Sequence, residues 1–301
     1  MAVSKLDLTS SDSATRVSNA LNLGRMARAD EPLLTRLPRF RLLSTLVDRL
    51  NGVVGKNEVA KPADIESSLH FNLLGFSGAF SRSHVDYLVG TWVRCLFGSK
   101  VWMIASQMQE EDWQRFARDG CNWSPEGKGR ILVLEQDDVL LMPPGLRTVH
   151  AVLTPEPSLV EGGMLWDEVT IPQILEGLLW IGKNQACTNE PVAYQLPGII
   201  DALEQWAEQF LDTSSSEDEQ DVEYTSAVRD GIRALRALGC ACGLRCESSA
   251  DCICKREQRR CTSWCLRHPL LQPREMRDDE SAPRGARTKN KDGGSFYCMH
   301  D

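Results

Sequence analysis

The sequence predicts a mainly β fold with flanking helices, a barrel followed by α-helices and a small zinc-bound cysteine-rich module. Three observations carry that expectation. Thr91 to Phe97 and Lys100 to Ala105 are apolar, β-prone runs separated by Gly98-Ser99, a two-residue connection that reads as a hairpin. Ile171 to Ile181 and Gly198 to Leu211, which follow the β region, carry apolar residues at helical spacing. Between Cys240 and Cys265, seven of the eleven cysteines fall within twenty-six residues, a density that needs a metal or disulfides.

The length of 301 residues suggests about two domains of roughly 150 residues each. Residues 1–40, rich in Ser and Thr near the start, read as a poorly structured N-terminus. The barrel and its flanking helices are assigned to 41–211. Within it, Leu42, Leu43, Leu46, Val47 and Leu50 mark a helix over Arg41 to Val54. Asp64 to Leu74 supplies a strand, with His70 a polar strand residue rather than a ligand. Val139 to Met142 reads as a short buried strand between two turns, Asp137-Asp138 and Pro143-Pro144-Gly145, and Thr148 to Leu153 as the next strand. Residues 212–224 form an acidic, serine-rich linker. The segment 225–268 starts with a helical face of Val228, Ile232, Leu235 and Leu238 and runs into the cysteines. Residues 269–301 read as a basic, disordered tail, rich in charge, Gly and Pro. No apolar run reaches the length of a membrane span, so a membrane partner is not expected. Neither a phosphate-binding Gly-rich loop nor a nucleophile elbow is present.

The chemistry concentrates at Ser83-His84-Val85-Asp86. Alternate side chains of a strand share a face, so His84 and Asp86 can point together into a barrel, with His150 as a third group from another strand. Lys100, Trp102 and Ile104 share the interior face of their strand, and a buried lysine is costly unless it meets an anion. Two histidines and a carboxylate leave three coordination positions open on a metal ion, the arrangement of non-haem Fe(II) oxygenases. A lone His-x-Asp arises often by chance, and the combination carries the argument. The competing reading is a metal-free or zinc-holding barrel in which these groups are satisfied polar core, and a buried Lys100 argues against it.

The passages Ser77 to Asp86, Gly90-Thr91-Trp92 through Lys100-Val101-Trp102, and Met142-Pro143-Pro144-Gly145 through His150 to Glu156 resemble the Jumonji C family of 2-oxoglutarate oxygenases. The resemblance covers residues 66–168 and implies a double-stranded β-helix of the cupin-like kind. Carried over by position, it makes His84, Asp86 and His150 the catalytic Fe(II) ligands. Lys100 becomes the partner of the distal 2-oxoglutarate carboxylate, with Ser81 where many members place a supporting threonine. Leu146 to Val149, between the Pro-Pro-Gly turn and His150, is longer than in many members. The implied reaction hydroxylates a substrate C–H bond while 2-oxoglutarate becomes succinate and carbon dioxide. A protein substrate such as a histone tail is expected, by methyl-lysine demethylation or protein hydroxylation; the alternative is a barrel without turnover that binds chromatin or DNA.

Met1 to Asp7 lead into a polar stretch rather than an apolar signal core, which argues against secretion and for a reducing compartment. Close cysteine pairs there are zinc ligands more often than cystines. The spacing Cys240-x-Cys242-x3-Cys246-x5-Cys252-x-Cys254-x6-Cys261-x3-Cys265 resembles the tesmin-like CXC motif, which implies a Zn(II) cluster and contact with DNA. Arg267 occupies the position where the motif continues with cysteine. His268 is either an eighth ligand or an exposed loop histidine. The chain carries a formal charge of −8, yet Lys255 to Lys291 holds eleven basic against five acidic residues, which suits phosphate contact. Lys255-Arg256 with Arg259-Arg260 resembles a nuclear localisation patch, so the nucleus is the expected compartment and the cytoplasm the alternative. Cys95, Cys121 and Cys187 read as isolated thiols, and Cys298 with His300 as a frayed end.

Overall fold

A computed structural model describes residues 19–23, 31–53, 65–190, 192–193, 195–213, 219–239, 252–257 and 264–265. Its strands are β1 (Asn19–Leu23), β2 (Phe71–Gly75), β3 (Phe80–His84), β4 (Thr91–Phe97), β5 (Lys100–Ala105), β6 (Gly129–Leu134), β7 (Val139–Met142), β8 (His150–Leu153) and β9 (Ser158–Met164). They form two antiparallel sheets, a five-stranded one in the order β1-β2-β9-β4-β7 and a four-stranded one in the order β3-β8-β5-β6. From β2 onward the chain alternates between the sheets at each strand, apart from β5 and β6, which are consecutive in the four-stranded sheet.

Gly98-Ser99 is therefore not a hairpin. Both hydrogen-bonding edges of β4 are taken, one by β7 and the other by β9, so β5 has no edge to pair with and crosses to the other sheet. Gly98 makes the crossing at φ +74, and a Cβ there would lie 2.2 Å from the Pro157 carbonyl oxygen. The strand β7 also departs from expectation, because it is a sheet edge with Val139 exposed rather than a buried strand. Within the first forty residues β1 pairs with β2, and Leu33–Arg36 and Pro38–Phe40 are 3-10 turns, so this region is more structured than its composition suggests.

The helices are α1 (Leu42–Val53), α2 (Glu66–Leu69), α3 (Glu110–Asp119), α4 (Ile171–Lys183), α5 (Leu196–Thr213), α6 (Glu219–Arg236) and α7 (Ile253–Arg256). Helix α1 packs on α5, and α6 packs on α4. Their apolar stripes join the strands in one core that includes Leu43, Leu46, Ile174, Leu178, Ile199 and Leu203. Val228, Ile232, Leu235 and Leu238 belong to this core too, and α6 begins inside the stretch expected to be an acidic linker.

Cross-strand groups fix the five-stranded sheet. Arg94 on β4 lies opposite Glu161 on β9, and the two form an ion pair. Gly163 on β9 lets the backbone of Leu69 approach, since a Cβ there would meet the Leu69 carbonyl oxygen at 2.2 Å. Fully buried Trp166 donates its indole N–H to the carbonyl of Leu88 at 2.9 Å, tying the end of β9 to the loop that follows β3.

Candidate metal centre

Strand β3, Phe80-Ser81-Arg82-Ser83-His84, lacks the apolar alternation of its neighbours, and its pairing with β8 sets the site. The register shifts between Ser81, opposite Val152, and His84, opposite His150, so an irregularity brings the two histidines opposite each other. Their ring centroids are 4.2 Å apart. Strand β3 then ends. The Val85 N–H donates to the Cys187 carbonyl at 2.9 Å instead of continuing the ladder. Asp86 consequently reaches the site from a turn rather than as the alternate residue of a strand, the placement that strand periodicity suggested.

That turn is tightly held. The Val89 N–H donates to the Asp86 carbonyl at 3.1 Å, and the Gly145 N–H to the Val89 carbonyl at 2.8 Å. Val89 sits at φ 56, a costly conformation for a β-branched residue that persists only where its surroundings over-determine it.

The Asp86 carboxylate oxygen lies 3.9 Å from Nε2 of His84 and 3.8 Å from Nε2 of His150. This trio is the group of potential metal ligands found among the described residues. Each imidazole is oriented through its other nitrogen: His84 Nδ1 donates to the Arg82 carbonyl at 2.6 Å, and His150 Nδ1 to the Thr148 carbonyl at 2.9 Å. Both Nε2 lone pairs are thereby directed to the space beside the carboxylate, the support that metal-ligating histidines use. Burial, and then the neighbouring His150, push the His84 imidazole below its ordinary value, which favours the neutral form that a metal ligand needs. Trp102 flanks His150 with ring centroids 5.0 Å apart. Two imidazoles and one carboxylate fit a divalent first-row metal ion.

The triad faces a cavity between the sheets, whose wall includes Ser81, Lys100, Thr91, Trp102, Asn189 and Glu190. Lys100 is buried and donates to the Thr154 hydroxyl at 2.6 Å. Burial pushes its ammonium down to about 8, partly offset by the nearby Cys95. Among the described residues no carboxylate pairs with it. Two more residues of this wall carry polar atoms, Thr91 Oγ1 and Trp102 Nε1, that are buried without a hydrogen-bond partner among the described residues, an arrangement that costs about 1–3 kcal/mol per group.

Thr154 was not singled out by sequence reasoning. It is fully buried, its N–H donates to the Ala79 carbonyl at 2.8 Å, and its carbonyl accepts from the Gly78 N–H at 2.7 Å. The signal that could have found it is register: Leu153 lies opposite Val101, which places Thr154 beside Lys100.

In the cysteine-rich region Cys252, Cys254 and Cys265 are buried, and the sulfurs of Cys254 and Cys265 are 3.5 Å apart. That is far beyond the disulfide length of about 2.05 Å. Cys240, Cys242, Cys246, Cys261 and His268, and with them Cys298 and His300, lie outside the described residues. Of the isolated thiols, Cys95 and Cys187 are buried and Cys121 is half-buried; burial pushes the Cys187 thiol up to about 12, which keeps it protonated and unreactive.

Two antiparallel sheets thus enclose a cluster of two buried histidines and the half-buried Asp86, an arrangement that could hold a metal ion. No family model matches this chain. It is 52% identical over 237 residues to KK-1 biosynthesis cluster protein D of Curvularia clavata, an alignment covering 78% of this chain and 24% of that protein. The chain thus spans about a quarter of the length of the curated relative it matches. Among solved structures it is similar to Bacillus subtilis oxalate decarboxylase, with 16% identity, a TM-score of 0.22, and coverage of 33% of this chain and 21% of that one. It is also similar to a conserved Streptococcus pyogenes protein of unknown function, with 13% identity, a TM-score of 0.23, and coverage of 33% and 64%. Scores this low carry no argument, and the architecture stands on its own strand topology. No helix among the described residues is long and apolar enough to cross a membrane.

Proposed function

We propose that this chain is an Fe(II)- and 2-oxoglutarate-dependent oxygenase of the Jumonji C type, its alternating strands forming a double-stranded β-helix. The observation that carries the reading is the pairing, in one cavity, of the buried His84 and His150 and the half-buried Asp86 with a buried Lys100 that has no carboxylate partner among the described residues. The cluster leaves open positions for a keto acid and dioxygen, and the lysine supplies a cation for a distant carboxylate. Bound iron would supply the oxidation: substrate R–H, dioxygen and 2-oxoglutarate become R–OH, succinate and carbon dioxide. The residues of the chain do the rest. His84 and His150, locked through Nδ1, present neutral nitrogens; Lys100 and Ser81 receive the distal carboxylate; the apolar wall of Phe71, Val93 and Met142 limits the entry of water.

The relative's name associates it with a biosynthesis cluster, and this supports a biosynthetic intermediate as the oxidised substrate in preference to a histone tail. Chromatin targeting, DNA binding and nuclear location rest on the cysteine-rich, basic sequence after Gly239. Succinate formation from 2-oxoglutarate by protein loaded with Fe(II), in the presence of ascorbate and oxygen, tests the oxygenase reading. Turnover in the wild type and none in His150→Ala is expected, whereas a folded, iron-loaded wild type without turnover would leave a binding role for the barrel.

A structural zinc site in the C-terminal region is a second part of the reading. It is supported by Cys254 and Cys265, whose sulfurs lie 3.5 Å apart, close to the spacing of two thiolates on one tetrahedral zinc with Zn–S bonds of about 2.3 Å. Release of zinc on denaturation, reduced in Cys254→Ala, is the expected result, and zinc-free wild-type protein would remove this part.

A further inference from the structure

Resting on the reading of the triad as a metal centre, we infer that Arg147 is a positioning residue for His150. Its guanidinium, lying over the rings of Trp113 and Trp180, fixes the neighbouring Thr148 carbonyl that orients the imidazole. Neither the strand pattern nor the motifs used above give Arg147 a role.

The two histidines of the triad are supported differently. His84 Nδ1 donates to the Arg82 carbonyl, and Arg82 lies within strand β3. His150 Nδ1 donates to the Thr148 carbonyl, and Thr148 lies outside any strand, in the connection from β7 to β8. On either side of Thr148 that connection is anchored through its backbone. The Gly145 N–H donates to the Val89 carbonyl at 2.8 Å, and the Val149 carbonyl accepts from the Ala105 N–H at 2.9 Å. Between these anchors, Arg147 and Thr148 make no backbone–backbone hydrogen bond among the described residues, and the Thr148 hydroxyl is buried without a partner there. The Arg147 side chain supplies the remaining anchor.

The guanidinium carbon lies 4.7 Å from the ring centroid of Trp113 and 5.3 Å from that of Trp180, both within the range of about 6 Å over which a cation is attracted to an aromatic face. Glu176 approaches Arg147 at 3.5 Å, but its side chain is 69% exposed, so that ion pair contributes little. The indoles therefore carry the contact. They come from distant parts of the chain, Trp113 from α3, between β5 and β6, and Trp180 from α4, after β9. The two rings meet edge to face at 5.4 Å, and fully buried Phe116 stacks on Trp180 at 5.9 Å and lies 5.4 Å from Trp123. The rings under Arg147 thus belong to an aromatic cluster of the core, and their hold on the side chain passes that rigidity to the next carbonyl along the chain. A planar guanidinium stacked on aromatic faces is pre-organised in a way that a flexible ammonium is not.

The test is imidazole nitrogen NMR on metal-free protein, which reports the tautomer of each histidine, together with calorimetric Mn(II) titration, for wild type, Arg147→Met and Arg147→Lys. Methionine keeps an unbranched chain and removes the charge. In the wild type both His84 and His150 are expected as the Nδ1–H tautomer. In Arg147→Met, His150 should become a mixture of tautomers while His84 stays as it was, and the Mn(II) Kd should rise about tenfold, as for the loss of a partner outside the ligand set. Arg147→Lys, which keeps the charge without the planar fork, should fall between the two. A merely structural role would lower thermal stability and move both histidines together or neither, and either pattern overturns the assignment. Wild-type Mn(II) affinity in Arg147→Met overturns it as well. Trp113→Phe, which keeps a ring and weakens the contact, gives the same comparison if Arg147→Met does not fold. Wild-type protein that binds no Mn(II) would sink the metal-centre reading itself, and the tautomer comparison, made without metal, would still decide for or against Arg147.

Discussion

The two sheets divide the work of the molecule. The five-stranded sheet is the scaffold: β4 and β9 are buried over most of their length and joined across the strands by Arg94 and Glu161. The four-stranded sheet carries His84, His150 and Lys100, yet its edge strand β6 is exposed through Gly129 to Val133. Its outer face shows Phe80, Ile131 and Val133 to solvent, with exposures of 52%, 69% and 55%. Polar chemistry thus sits on the inner face of the less protected sheet, braced from across the cavity by the better packed one. A metal site of this kind needs a rigid opposing wall more than it needs its own sheet buried on both faces.

The sharpest way to break this division is to remove a ligand. His84→Ala should abolish turnover and lower metal affinity by more than the roughly 10–100-fold that loss of an outer partner costs, while the far-ultraviolet circular dichroism stays that of the wild type. Loss of the fold would instead mean that the triad is part of the core. On the scaffold side, Gly163→Ala pushes a methyl group against the Leu69 carbonyl. It should destabilise the protein by about 1–3 kcal/mol in urea unfolding, with metal stoichiometry unchanged in the folded fraction. Equal stability would show that β9 can shift without cost.

The pH response sharpens the assignment of Lys100. Its ammonium is charged below about 8 and neutral above, so 2-oxoglutarate affinity should fall as pH rises through that value, by up to about tenfold per pH unit. Titrations at increasing pH check this, with Lys100→Met as the control whose weaker binding should no longer follow the same curve. An affinity independent of pH between 7 and 9 in the wild type would remove the lysine from the binding of the anion.

What could be read from the sequence follows the same division. The strands β4 and β5 were legible because their apolar runs are long, and α1, α4 and α5 because their stripes repeat at helical spacing. Strand partnership was not, since the edges of β4 are filled by β7 and β9, and β9 hides a strand behind Gly162, Gly163 and the buried Glu161. At the site, the identities of His84, Asp86, His150 and Lys100 could be picked out as a constellation. The placement of Asp86 could not, because it depends on the Cys187 carbonyl, about a hundred residues away, drawing Val85 out of the ladder. Thr154 was hidden for a similar reason: a single polar residue after an apolar strand carries no periodic signal, and its neighbour Lys100 is brought to it only by cross-strand pairing.

The smallest expected effect lies on the outer face of the four-stranded sheet. Ile131 is exposed on the edge strand opposite Met103, where it gives little burial and does not line the cavity of the triad and Lys100. Ile131→Thr keeps the β-branched shape that suits a strand and should change stability by no more than about 0.5 kcal/mol, with metal affinity and turnover as in the wild type. A larger loss in urea unfolding would mean that this face is covered in solution. Measuring the same variant across a range of protein concentrations separates the causes, because a loss that grows with concentration reports a broken contact between chains, whereas one independent of concentration places the packing of Ile131 within its own barrel.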